Sequence, residues 1–149
     1  MANAARAIII ENDQMLVMQR QKNNQLYYTL VGGRQNDGES IEECLVREIR
    51  EETGLKIKEY NLVYTEKHND PVYNDQFIFI ATIEPHEGVA LETMSEEALL
   101  NQNPYHENKH TPMWVPLKGF GHLPFRTPAL GAAIQTALKK GFPRTPVAV

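Results

Sequence analysis

Apolar positions along this chain follow two rhythms, one suited to strands and one to helices. Residues 5–10 and 15–20 are apolar-rich runs parted by Glu11-Asn12-Asp13-Gln14, a turn composition, and they predict a β-hairpin. A polar loop over 21–25 and a short strand over 27–31 follow, the strand delivering Gly32-Gly33. Apolar clustering predicts further strands over 57–65, 77–83 and 113–117, with a loop over 68–75 between the first two. Leu130, Ala133, Ile134, Ala137 and Leu138 recur at helical spacing within 128–140, where Pro128 suits a first turn and Gly141 a stop. Residues 84–108 are polar and irregular apart from a short helix over 95–101 capped by Ser95, and a connection of that length is often functional. Residues 143–149 read as a loose tail. Helices alternating with strands imply α/β layers, with one helix on each side of a mixed sheet.

One further helix organises the rest. Ser40 is a good N-cap and Glu43, three positions on, completes a capping box, so the helix starts at Ile41. Gly54 can take the left-handed conformation that ends it after Thr53. At about 100° per residue, Ile41, Leu45 and Ile49 form an apolar stripe with Cys44 beside it. Glu52 projects among these apolar residues, and Glu48 and Glu51 lie along the border of the stripe. A carboxylate aimed at apolar surroundings costs several kcal/mol unless its charge is compensated. Arg47 and Arg50 offer one compensation, a salt-bridged helix face. A hard divalent cation, which takes oxygen ligands, offers another. The arginine explanation accounts for the outward charges but leaves Glu52 unexplained. Gly32-Gly33 lies just ahead of the helix, where a backbone without side chains can approach a ligand and offer a carbonyl to it.

Composition narrows the function classes. At 149 residues and 17.0 kDa the chain reads as a single domain over 1–149, able to bury a core without disulfides. One cysteine, Cys44, excludes an intrachain disulfide framework and reads as a small core residue. No run approaches a membrane span, so a cytoplasmic protein with no membrane partner is expected. The net charge of -4 argues against binding a nucleic-acid polymer.

These residues carry a family resemblance. Gly33, Glu39, Arg47, Glu48, Ile49, Glu51, Glu52, Gly54 and Leu55 stand at the spacing G-x5-E-x7-R-E-U-x-E-E-x-G-U, where U is a bulky aliphatic. The segment 33–55 resembles the box of the Nudix hydrolases, MutT-like pyrophosphohydrolases, without a departure. Just upstream, where many relatives have Trp-x-Leu-Pro-Gly-Gly, this chain has Tyr28-Thr29-Leu30-Val31-Gly32-Gly33. The resemblance implies an α/β/α sandwich with a central mixed sheet. It also implies cleavage of a diphosphate linkage in a nucleoside diphosphate joined to a group X, with Mg²⁺ or Mn²⁺ as cofactor.

By the same resemblance, Glu51, Glu52 and the Gly32 carbonyl are inner metal ligands. Glu48 is a ligand or the base that deprotonates water, Glu39 supports a second ion, and Arg47 orients the carboxylates. Arg20 is either a solvated strand end or a phosphate contact. Gly33 and Tyr28 are further substrate candidates, although Tyr28, Phe77, Phe79 and Phe125 have the alternative of packing in a core. One acid beyond the box, Glu107, is either a solvated loop glutamate or a further member of the metal site, with Glu96 and Glu97 as competitors. Pro71 and Tyr73 point to ADP-ribose and dinucleoside polyphosphates at once and decide nothing. The partner is a small nucleotide-type molecule, and a homodimer is compatible with the sequence. The rival classes are a non-catalytic nucleotide-sensing or protein-binding module, which has no need of a complete box, and an isopentenyl diphosphate isomerase, for which a second cysteine is missing.

Overall fold

Asparagine and aspartate in left-handed conformations fold the first part of the chain into tight hairpins. In the computed structural model, which describes residues 2–67, 73–89 and 109–149, Asn12 and Asp13 have φ of 51° and 59°, and Asn23 and Asn24 have φ of 50° and 64°. Two positive φ values in a row are what a two-residue hairpin turn of the right twist requires. The first turn joins β2 (Ile10–Glu11) to β3 (Gln14–Lys22), and the second joins β3 to β4 (Gln25–Thr29). The predicted polar loop over 21–25 is therefore mostly strand, with Lys22 paired to Gln25 across the turn.

The predicted first hairpin is also shorter than its apolar run. Only Ile10 and Glu11 pair with β3. Residues before them form β1 (Ala2–Ile8), which lies between β5 (Val31–Arg34), antiparallel, and β7 (Tyr73–Ile83), parallel. Ala4, Ala5, Ala7 and Ile8 are all fully buried, so the run is apolar because both faces of β1 are covered. The predicted strand over 27–31 breaks at Leu30 in the same way, β4 staying with β3 while β5 crosses to β1.

The described residues thus form two sheets. A mixed sheet runs in the order β5-β1-β7-β6-β9, with β6 at Ile57–Lys67 and β9 at Val147–Ala148. A second, antiparallel sheet centres on β3, which pairs with β2, β4 and β8 (Lys109–Pro116). β6 and β7 extend beyond their predicted ends because backbone pairing, not apolar patterning, carries Glu66↔Gln76 and Lys67↔Asp75. β8 begins earlier than 113 for the same reason, and Leu117 opens a 3-10 turn, Leu117–His122, instead of ending the strand. The tail over 143–149 is not loose. Val147 and Ala148 pair with Tyr64 and Thr65, and the Val149 N–H donates to the Thr65 carbonyl at 2.9 Å, completing the exposed edge of β6.

Two helices among the described residues cover the mixed sheet. α1 (Ile41–Thr53) packs Leu45 and Ile49 against Ala5, Ala7 and Phe79, whose cluster also includes Leu16 and Met18 of β3. α2 (Pro128–Lys140) packs Leu130 and Ile134 against Ile8 and Ile78 on the opposite face. The predicted limits of both helices hold. Among the described residues, no helix is long and apolar enough to cross a membrane.

Candidate functional site

Local chemistry at both ends fixes the rotation of α1. Ser40 Oγ accepts the Glu43 N–H at 3.0 Å and Glu43 Oε1 accepts the Ser40 N–H at 3.1 Å, while Gly54 turns left-handed at φ 75°. That register sends Glu48 and Glu52 inward together with Cys44, Leu45 and Ile49. Glu52 is only 3% exposed. One compensation for its buried carboxylate is a short hydrogen bond, 2.7 Å, from the Gly32 N–H to Glu52 Oε1. The approach requires glycine: φ is 137° at Gly32, and a Cβ there would lie 2.1 Å from the Ala5 carbonyl oxygen.

Arg47 gathers the other carboxylates. Its Nε and Nη2 donate to the two oxygens of Glu39 at 2.6 and 2.9 Å, a forked pairing. Nη1 donates to Glu48 Oε1 at 2.9 Å and to Glu51 Oε2 at 3.1 Å, and Nη2 also reaches the Arg34 carbonyl at 3.0 Å. The Arg47 guanidinium beside Glu39 holds that carboxyl below its usual range, and burial opposes the shift less strongly. In return, Glu39 first and Glu48 next raise the affinity of Arg47 for its proton. Gly33 makes room for this cluster, since a Cβ at that position would sit 2.5 Å from Glu48 Oε2.

Cys44 lies against the cluster, its Sγ donating to the Gly33 carbonyl at 3.4 Å. Burial, and after it the charges of Glu48 and Glu39, pushes its thiol up to about 12. It is a packing residue, as its place on the stripe suggests. Iodoacetamide at pH 8 should therefore leave Cys44 unmodified in the native protein and alkylate it in denaturant, as read by intact mass. Rapid native alkylation would contradict this environment.

The structure brings Gly32, Gly33, Glu39, Arg47, Glu48, Glu51 and Glu52 together, but it separates other candidates. The Gly32 carbonyl accepts from Arg6 Nη1 at 3.2 Å, so the expected backbone ligand already has one protein partner. Tyr28 takes the core-packing alternative, apart from the carboxylate cluster. Its register partner is Gln19, whose amide donates to the Tyr28 hydroxyl at 3.0 Å, and its ring packs with the cluster on the α2 side of the sheet. Period-two alternation sends Arg20 the other way, and Arg20 pairs with Tyr27. The Arg20 guanidinium lies 5.8 Å from the Tyr27 ring centre and that of Arg126 lies 3.8 Å from it. Phe79 and Phe125 are buried and Phe77 is partly buried, each within or against a core cluster. Glu107, with Glu96, Glu97, Pro71 and the helix over 95–101, lies outside the described residues.

The donor set suits a hard cation. Carboxylate oxygens supply anionic oxygen ligands, the kind Mg²⁺ and Mn²⁺ prefer. Among the described residues, no three acidic, imidazole or thiol groups are arranged to hold a metal ion. The Arg47 guanidinium bridges Glu39, Glu48 and Glu51 instead.

A mixed sheet flanked by two helices, with a glycine turn feeding a capped helix of clustered carboxylates, defines a Nudix-type α/β/α domain. The NUDIX domain family model matches residues 1–132, and the chain belongs to that family. An ADP-ribose pyrophosphatase of Methanocaldococcus jannaschii is 43% identical over 67 residues. That match takes in 42% of this chain and 40% of the relative, well under two thirds of the relative's length. The MutT protein of Bacillus halodurans superposes with a TM-score of 0.58 at 23% identity, over 91% of this chain and 82% of that one. A Nudix hydrolase from Nitrosomonas europaea superposes with a TM-score of 0.65 at 16% identity, over 95% and 90% of the two chains. These two structures share the fold.

Sequence reasoning did not single out Arg6, Glu66, Gln76 or Tyr27. Arg6 had a signal, as the one charge inside the apolar run over 5–10.

Proposed function

We propose that this chain is a divalent-cation-dependent hydrolase that cleaves the diphosphate linkage of a nucleoside diphosphate joined to a group X. The observation that carries this reading is the convergence of four box glutamates on Arg47 and the Gly32 peptide, with Glu52 buried among apolar side chains. A module that only senses nucleotides has no use for so costly a cluster. The residues that would hold Mg²⁺ or Mn²⁺ are Glu51, Glu52 and the Gly32 carbonyl, with Glu48 as a further ligand or the base, Glu39 supporting a second ion and Glu107 as a further acid. When bound, the cation would offset negative charge on the non-bridging oxygens and on the leaving phosphate.

The chain's own residues account for the rest of the reaction. Glu48 is the candidate base: its carboxylate takes a proton as the water oxygen adds to phosphorus and the bridging P–O bond breaks. Arg47 holds Glu39, Glu48 and Glu51 in register through its planar fork. Arg20, on the face of β3 shared with Leu16 and Met18, is the candidate phosphate contact.

The name of the Methanocaldococcus relative makes ADP-ribose the first substrate to try. A panel of ADP-ribose, nucleotide sugars, dinucleoside polyphosphates and nucleoside di- and triphosphates should show cleavage of at least one class, and ADP-ribose should give AMP and ribose 5-phosphate. Binding without cleavage across the whole panel would favour the nucleotide-sensing module.

A further inference from the structure

A polar chain crosses the face of the mixed sheet opposite α1 and ends on the glycine turn. Arg6 projects from β1 on that face. Its Nη1 donates to the Leu30 carbonyl at 3.1 Å and to the Gly32 carbonyl at 3.2 Å, and its Nε donates to Gln76 Oε1 at 3.0 Å. Gln76 Nε2 in turn donates to Glu66 Oε1 at 2.7 Å. The second Glu66 oxygen accepts the Thr127 hydroxyl, whose Oγ also caps α2 by accepting the Leu130 N–H at 3.3 Å. Gln76 is 2% and Glu66 6% exposed. The sequence of groups follows the strand order β5-β1-β7-β6 and finishes at the start of α2.

The chemistry gives this chain a direction. A carboxamide between a guanidinium and a carboxylate can present its oxygen only to the first and its NH₂ only to the second, so the Gln76 orientation is forced. The guanidinium is thereby fixed in the plane from which it grips two carbonyls flanking Val31. The Gly32 residue is held from both sides: its N–H by Glu52 Oε1, its carbonyl by Arg6. Its backbone also presses on β1, where the space beside Ala5 admits no side chain. A carbonyl oxygen has two lone pairs, so the grip of Arg6 leaves one for a second partner.

From this geometry we infer that Arg6 is a positioning residue for the carboxylate centre, acting through the Gly32 backbone on Glu52 and anchored by Gln76 and Glu66. The inference rests on the proposed hydrolase reading for its kinetic consequence and on geometry alone for its structural one. Arg6→Lys keeps the charge but offers a point donor in place of a fork, so it cannot hold Gln76 and two carbonyls in one plane. Glu66→Gln keeps the shape of the far anchor and removes its charge.

Three readings on the full chain test this. In the apoprotein, hydrogen exchange at the Gly32 amide should speed up at least about tenfold in Arg6→Lys, with amides of α1 unchanged. Binding of Mn²⁺ alone, followed by electron paramagnetic resonance, should weaken several-fold. On the best substrate of the panel, kcat should fall at least about tenfold with KM within about threefold, the split expected when a group acts on the reacting centre and not on substrate affinity. Glu66→Gln should move all three in the same direction by less, and it carries the test if Arg6→Lys does not fold. If the wild-type protein cleaves nothing, the hydrolase reading fails while the Gly32 exchange still decides the inference. A folded Arg6→Lys with native Gly32 exchange and native Mn²⁺ affinity would overturn it.

Discussion

Glu52→Gln should abolish most activity, by at least about a hundredfold in kcat or about 2.7 kcal/mol of barrier, while the apoprotein melts at the same temperature or higher. The two halves of that result have one cause. A glutamine Oε1 can still accept the Gly32 N–H, so the contact is kept in a weaker, neutral form. What disappears is a negative charge in a site 3% exposed, and removing it relieves desolvation that the fold otherwise bears. If the carboxylate serves only to tie Gly32 to α1, both kcat and melting temperature stay near wild type.

Arg47→Met should have the largest effect on stability of any substitution at a charged residue of the box. It removes the common partner of Glu39, Glu48 and Glu51, whose side chains are 13%, 10% and 28% exposed. Like charges are then left close together with no cation between them. Breaking a buried pair costs several kcal/mol and a solvated one little, so the expected loss is about 2–3 kcal/mol at pH 7. For a domain of this size that lowers the melting temperature by about 5–10 °C. The pH dependence separates this from simple misfolding. In the wild type, Arg47 holds the Glu39 carboxyl below its ordinary value of 4.5, so the stabilisation is complete above that value and fades as pH falls through the lowered one. Arg47→Met should therefore close the stability gap to wild type at acid pH and show it in full at neutral pH. A gap of constant size from strongly acid to neutral pH would mean that the loss comes from packing of the Arg47 stem.

The carboxylate helix was legible in the sequence because everything that defines it is local. The capping box joins Ser40 to Glu43 and the stop is Gly54, both readable within one turn of the helix ends. The conflict at Glu52 could be seen too, since its direction follows from counting residues around the helix. Its backbone partner could not. Gly32 is twenty positions away, and the N–H that meets Glu52 depends on how β5 sits beside β1. Whether Tyr28 faces a ligand or packs in a core turns on a single residue of alternation. Tyr27 and Tyr28 are equally aromatic, and only the pairing of Tyr27 with Arg20 tells which side of the sheet each one faces. The Arg6 chain was hidden for a related reason: its members lie on strands 70 and 10 positions apart, and polar residues on a covered face break the apolar pattern without announcing their partners. The tail strand answers to the open edge of β6, a property of the assembled sheet and not of residues 147–149.

Metal dependence of diphosphate cleavage tests the central claim most directly. Protein stripped with EDTA and passed into metal-free buffer should leave ADP-ribose, or whichever diphosphate the panel selects, intact by phosphorus NMR. Adding Mg²⁺ or Mn²⁺ should then restore cleavage into two phosphomonoesters or shorter phosphates, at a rate that saturates with the ion. Cleavage at an undiminished rate in the stripped protein would contradict the metal-holding role of Glu48, Glu51 and Glu52, as would saturating metal that leaves every diphosphate whole.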